Sequence, residues 1–241
     1  GFSPPRVEDV INDKTGGVVE LDPERSWNVE AGARTLVARG VRLDATFFQM
    51  DYENQIVPAS LAGGVGATLT NGGETLHRGL ELGGAIDSDT FTASAHDVYA
   101  RVAFTWIPVA RFTGTRFSGV SGFATTSVTG NRLPYAAETL ATVTLGYRHT
   151  AGLDVQLEAQ QMGDQFGDDL NTVAGSADGQ RGLIPALTLW NAAATWRLKS
   201  AHSSLFLAVK NLSDRTAIVD RARGILPTHP RLVQIGLSVR F

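Results

Sequence analysis

The sequence predicts an all-β chain: an antiparallel meander of about nine strands that forms one stretch of a transmembrane β-barrel wall. Three observations predict it. Apolar residues alternate with polar or small ones through one segment after another, the mark of strands with one apolar face. Connections between these segments run short, long, short, long, which a membrane explains, because outer-membrane barrels carry short turns on one side and longer loops on the other. The last segment places Val233, Ile235, Leu237, Val239 and Phe241 on one parity against Leu232, Gln234, Gly236, Ser238 and Arg240, and it ends on an aromatic. A closing strand of this kind is expected to resemble the signal that a barrel-assembly machinery reads.

In chain order, residues 1–24 are rich in Pro, Gly, Asp and Asn (Asn12, Asp13, Gly16 and Gly17 among them) and read as loop. Trp27, Val29, Ala31, Ala33 and Thr35 form the first apolar face, and Ala38 to Gly40 leave room only for a tight turn. Val41, Leu43, Ala45 and Phe47 return to about Gln55, before a Gly-rich segment at 56–74. Leu76, Leu80, Leu82 and Ile86 share the next face, a connection begins at Asp87–Asp89, and Val98, Ala100, Val102, Phe104 and Trp106 come back. A loop over 113–135 precedes Ala141, Val143, Leu145 and Tyr147, a turn at His149–Gly152, and Leu153, Val155, Leu157 and Ala159. The loop at 163–184 leads to Trp190, Ala192, Ala194, Trp196 and Leu198. A turn near Lys199–Ser203, a strand at 204–212, a loop at 213–230 and the terminal strand follow. Trp190 and Trp196, six residues apart on one face, differ in depth by roughly 15 Å at a tilt of about 40°, so they reach from one membrane interface toward the other. Trp27 and Tyr52, near strand ends, read as members of an aromatic girdle.

Composition removes several classes of function. A net charge of −3 over 241 residues and a pI near 6.0 leave no basic field for nucleic acid. The absence of cysteine excludes disulfides, zinc–thiolate sites and thiol catalysis. A mean hydropathy of −0.03 is ordinary for a soluble protein, yet it suits a barrel, whose strands give only alternate residues to lipid. Residues Gly1 to Pro5 lack the charged and apolar regions of an export signal, so the beginning of such a protein is expected to lie upstream. A soluble β-sandwich with a carbohydrate- or ligand-binding role, and a small self-contained porin, stay open at this point.

Several stretches resemble TonB-dependent outer-membrane transporters. Leu21–Glu24 followed by Asn28–Gly32 is similar to that family's loop-to-strand entry, and Ala45–Asp51 with Asn54–Val57 to its next strand and loop start. Asn71–Gly73 before Arg78–Glu81, Gly130–Tyr135, Lys210–Leu212 with Asp214, and the ending at Phe241 fit as well. The resemblance covers nearly all of residues 1–241. It implies the C-terminal portion of a 22-stranded barrel, with the plug, TonB box and earlier strands missing from this chain. It further implies a location in the bacterial outer membrane and import of a scarce nutrient, an iron chelate such as ferric citrate or another siderophore complex. The implied partners are the lipid bilayer and lipopolysaccharide, the TonB complex acting through the missing regions, and the assembly machinery acting through Phe241.

Catalytic chemistry is not expected. His96 with Asp97, and Asp220 with His229, are the conceivable acid–base pairs, but no nucleophile motif accompanies them. Asp164, Asp168, Asp169 and Asp178 share one loop without the order of ligands in a calcium-binding loop, and read as a solvated acidic segment. No metal or cofactor is expected. The candidate ligand-binding residues are Arg116, Arg132, Arg181, Arg215, Arg221 and Arg223, because a guanidinium engages the carboxylates of an anionic chelate in two parallel hydrogen bonds.

Overall fold

The structure is a computed structural model that describes residues 1–6, 18, 20–58, 69–92, 94–198 and 202–239. In chain order the strands are β1 (Phe2–Ser3), β2 (Glu24–Ala38), β3 (Val41–Glu53), β4 (Ile56–Pro58), β5 (Leu69–Asn71), β6 (Thr75–Asp87), β7 (His96–Phe112) and β8 (Thr139–His149). They continue as β9 (Leu153–Met162), β10 (Gln165–Phe166), β11 (Leu183–Ile184), β12 (Leu187–Leu198), β13 (Ser203–Lys210), β14 (Ile218–Asp220), β15 (Leu226–Pro227) and β16 (Leu232–Val239). Ten of them form one antiparallel sheet in the order β1-β2-β3-β6-β7-β8-β9-β12-β13-β16. The remaining six make three small hairpins inside the long connections: β4–β5, β10–β11 and β14–β15.

The all-β meander expected from the sequence is therefore present, with nine long strands and one addition. Phe2 and Ser3, read as loop, pair with Arg25 and Glu24, a two-residue stub that carries no periodicity to detect. Asn12, Asp13, Gly16, Gly17, Lys199 and the terminal Phe241 lie outside the described residues.

Register shows why the alternation matters. Directly opposed residues in antiparallel strands share a face, and the apolar positions line up in rows across the sheet. One row runs Val41, Ile86, Ala100, Leu145, Leu157, Ala192, Val209, Val233, from β3 to β16. Another runs Val98, Tyr147, Val155, Ala194, Leu207, Ile235. Ile86, Val98, Leu145, Val155, Leu157, Leu207, Val233 and Ile235 are exposed, Leu145 at 55 % and Ile235 at 78 %, and the other members of the rows are half-buried, an apolar surface far larger than soluble proteins leave uncovered. Between Trp106 and His96 on β7 the band covers ten residue steps, about 33 Å of strand, or roughly 25 Å of height at a tilt of about 40°, which matches a bilayer's apolar belt. The opposite face is polar: Arg101, Thr144, Glu158 and Asn191 stand in one row.

Both Trp190 and Trp196 lie exposed on the apolar face, and so does Trp27. Tyr52 does not. Its partners in register are Ser26 and Thr75, which puts it on the polar face, half-buried and 5.7 Å from the His77 ring. Proximity to a strand end cannot fix parity, and the girdle assignment of Tyr52 is corrected.

β7 passes straight through Pro108, where the sequence pattern fades. Arg78 pairs with Val109 and Leu80 with Trp106, so Ile107 and Pro108 together oppose the single residue Gly79. This is a bulge, the place in a sheet where a residue without an N–H is tolerated. The four short connections all fall at the other end of the strands. There Arg39–Gly40 turns with Gly40 at φ 77°, a conformation glycine adopts freely. All ion pairs found among the described residues also gather at this end. Arg148 Nη2 lies 2.6 Å from both Asp87 Oδ1 and Asp97 Oδ2, and Arg101 Nη2 lies 2.7 Å from Asp87 Oδ1. The Arg101 and Arg148 guanidiniums lie 5.0 and 4.7 Å from the centre of the Tyr99 ring, which covers Gly146, where an added Cβ would fall 2.0 Å from Tyr99 Cζ. Carboxylates of Asp87, Asp89 and Asp97 converge here, but two guanidiniums already balance them.

Candidate ligand-binding site

At the long-loop end, the connections 113–138, 163–186 and 211–231 bind one another through side chains that clasp backbone. Asn171 holds Arg132 in both directions: the Arg132 N–H donates to Asn171 Oδ1 at 2.8 Å, and Asn171 Nδ2 donates to the Arg132 carbonyl at 2.8 Å. Asp169 accepts from Ser118 Oγ at 2.6 Å and from the Gly119 N–H at 2.7 Å, tying the second loop to the first. The Tyr135 hydroxyl donates to Asp220 Oδ1 at 2.7 Å and accepts from the Arg221 N–H at 3.2 Å, tying the first loop to the third. Tyr135 and Asn171 both hold positive φ, at 57° and 55°. That conformation is uncommon outside glycine, most of all for a tyrosine, and it persists where the surroundings enforce it.

The acidic loop is not simply solvated, which corrects the sequence reading. Asp168 is 6 % exposed, and its carboxylate accepts from the Leu170 N–H, the Thr172 N–H and hydroxyl, and the Gly182 N–H. Saturated with donors, a buried carboxylate becomes a loop organiser. Asp178 stays exposed, its pKa lowered first by the Ser176 hydroxyl and then by the Gln180 N–H. Asp220 is lowered by the Ala222 N–H and the Tyr135 hydroxyl, while burial and Asp220 together raise Tyr135.

The six candidate arginines divide. Arg116 donates Nη1 to the Gly72 carbonyl at 2.6 Å and lies over Phe112. Arg132 donates Nε to the Ala136 carbonyl and Nη2 to the Ile107 carbonyl, both at 2.7 Å, which caps the β7 bulge. Arg221, 6 % exposed, donates Nη1 to the Gly179 carbonyl at 3.0 Å. These three guanidiniums are spent on backbone. Arg181 stacks on Phe123, 5.5 Å from the ring centre, at the wall of an open cleft of about 590 Å³ that Val120, Pro134, Tyr135, Asp178 and Gln180 also line. Arg215 and Arg223 stay exposed on the third loop. Of the six, only Arg181 lines the cleft, which offers a small molecule one cation, the aromatic surface of Tyr135 and the exposed carboxylate of Asp178, while Asp168 and Asp169, also in its lining, are engaged by loop donors.

Sequence reasoning missed Asp168, Asp169, Tyr135 and Asn171 as the residues that build this end. A local signal existed for one: Asp168 bonding the N–H two residues on is the turn that Asp and Asn favour. The conceivable acid–base pairs do not form. His96 Nδ1 lies 2.6 Å from the Tyr147 hydroxyl on the apolar face, while Asp97 holds Arg148 on the polar one. Asp220 is engaged by Tyr135, and His229 lends its carbonyl to Asn211.

A family model described as the TonB dependent receptor-like β-barrel matches residues 1–212. Among solved structures, the chain is similar to the ferric citrate transporter FecA in its unliganded form, at 26 % identity and a TM-score of 0.71, over 95 % of this chain and 32 % of that one. It is also similar to the siderophore receptor PiuA from Acinetobacter baumannii, at 20 % identity and TM-score 0.67, over 93 % of this chain and 30 % of the other. The ferric yersiniabactin uptake receptor FyuA from Yersinia pestis matches at 19 % and 0.61, over 91 % and 29 %. The latter two likenesses concern the fold alone. The chain spans about a third of the length of each.

Proposed function

The chain belongs to the TonB-dependent receptor family as part of its β-barrel, and on that premise we propose that it forms the C-terminal wall and outer vestibule of a bacterial outer-membrane receptor that imports a ferric chelate. The observation that carries the reading is the pairing of one uncovered apolar face, tall enough for a bilayer, with loops that interlock around a cleft at one end only. A soluble sandwich would bury that face against a second sheet. The long loops are extracellular, the short turns periplasmic, and the polar face lines the lumen of a barrel of about 22 strands, whose plug and TonB box lie upstream. Energy arrives through the TonB complex, lipopolysaccharide packs around the outer rim, and Phe241 engages the assembly machinery.

The names of the solved relatives, transporters and receptors for ferric citrate and siderophores, favour an iron chelate as cargo. Arg181, Arg215 and Arg223 are the arginines left to face it; Arg116, Arg132 and Arg221 hold the vestibule in shape. Replacing Arg181 by Gln removes a charged hydrogen bond worth about 1.5 to 3 kcal/mol, so chelate binding should weaken about tenfold or more at unchanged surface abundance. The decisive experiment measures uptake of radioactive iron by cells that rely on the full-length receptor, with and without TonB. Uptake that needs both supports the reading; uptake indifferent to TonB, or no uptake of any ferric chelate, overturns it.

A further inference from the structure

Beneath the third loop, the lumen-side face of the wall changes character. Thr105, Leu140, Met162 and Leu187 stand in a single register row across β7, β8, β9 and β12, with Leu189 in the row below. Val219, on the β14–β15 hairpin, reaches over them, and the niche so formed measures about 450 Å³, the size of a small-molecule site. Two rows nearer the short turns, the same face is polar again with Arg101, Thr144, Glu158 and Asn191. A mainly apolar niche high in a polar channel, with Thr105, Thr142, Gln160 and Gln161 as its polar lining, has no role in holding the sheet together, since the ladder and the lipid face do that.

Charge on the three interlocked loops is balanced. Across 113–138, 163–186 and 211–231, arginines and carboxylates number seven each, so the three loops have a formal net charge of zero. Three of those guanidiniums bind carbonyls, and the cleft sets Asp168, Asp169 and Asp178 around its single arginine, Arg181. A polyanion gains no focusing field from these three loops. We propose that the cargo is a ferric chelate of near-zero net charge bearing an apolar or aromatic portion, which enters through the Arg181–Phe123 cleft and lodges that portion in the Leu140–Met162–Leu187 niche. The inference rests on the ferric-chelate reading and narrows it, replacing the anionic ligand expected from the arginine count.

The test uses cells carrying the full-length receptor and iron-55 presented as three probes: ferric citrate, a trianionic ferric tris-catecholate and a neutral ferric trihydroxamate. Binding is measured in the cold and compared between the native receptor, Leu140→Glu and Leu140→Gln at matched surface abundance. The expected result is preference for the neutral probe by at least tenfold. Leu140→Glu should lose at least tenfold of that binding and Leu140→Gln several-fold. Preference for either anionic probe overturns the inference and leaves the transport reading standing, whereas binding of no probe overturns the transport reading itself. Unchanged affinity in Leu140→Glu together with new permeability to large antibiotics would show that a segment of the receptor, and not cargo, fills the niche, and would also overturn the inference. Should Leu140→Glu fail to reach the surface, Leu140→Gln decides alone, its unchanged affinity counting against the niche.

Discussion

Through the middle of β7 and β8 one rule repeats every second residue: Val98, Ala100, Val102 and Phe104 stand in register with Tyr147, Leu145, Val143 and Ala141. In the loop cap above, almost nothing repeats: Arg221 reaches a carbonyl 42 residues away, and Tyr135 a carboxylate 85 residues away. The two regions hold their shape by different means. A wall residue contributes through the medium it faces, whereas a cap residue contributes through one or two particular bonds. Substitutions in the wall should therefore be graded by face, and substitutions in the cap by bond.

The largest effect belongs to the wall. Leu145→Arg puts a guanidinium on the lipid face near mid-height and should cost about 2 to 4 kcal/mol, read as lost outer-membrane abundance. Thr144→Arg, one residue away on the lumen face, should be tolerated. Equal damage from both would break the distinction between faces.

That contrast also explains what was legible in sequence. Period-two alternation is a local property, so the nine long strands, the lipid-facing residues of β16 and the outward tryptophans could all be read from neighbours alone. The passage of β7 through Pro108 depends on Gly79, some thirty residues earlier, and the fate of Arg132 depends on the carbonyls which that bulge exposes. An arginine that solvates a loop and one that clasps a distant carbonyl look the same in a sequence. Hence the sequence could nominate six arginines, but their division into three that brace backbone, one half-buried at a cleft wall and two exposed needed coordinates.

Within the cap, Arg221→Ala should cost about 1 to 3 kcal/mol by stranding the Gly179 carbonyl. The damage should stay local, as faster hydrogen exchange over 175–183 with normal exchange in β8 and β9. Global loss of protection would mean that cap and wall are one cooperative unit. Acid should loosen the cap as well. The folded pKa of Asp220 is depressed, so its contribution is fully present above the ordinary carboxylate value and is lost as pH falls through the lower, folded one. Cleavage by an acid-active protease within 211–231 should therefore begin only below about pH 4, and cleavage already at pH 6 would remove the Tyr135–Asp220 tie from the account. Smallest of all, Arg223→Gln at an exposed site should shift stability by no more than about 0.5 kcal/mol, in contrast to Arg221→Ala two residues away.

The central claim is that one face of this sheet meets lipid and the other meets the lumen. Spin labels placed singly at positions 142 to 145 and at 147 of the full-length receptor in bilayers test it most directly. Collision with oxygen should peak at 143, 145 and 147, and collision with a water-soluble nickel chelate at 142 and 144, position 146 being left unlabelled because the Tyr99 ring covers it. Uniform access to the aqueous probe along that stretch, with no two-residue period, would contradict it.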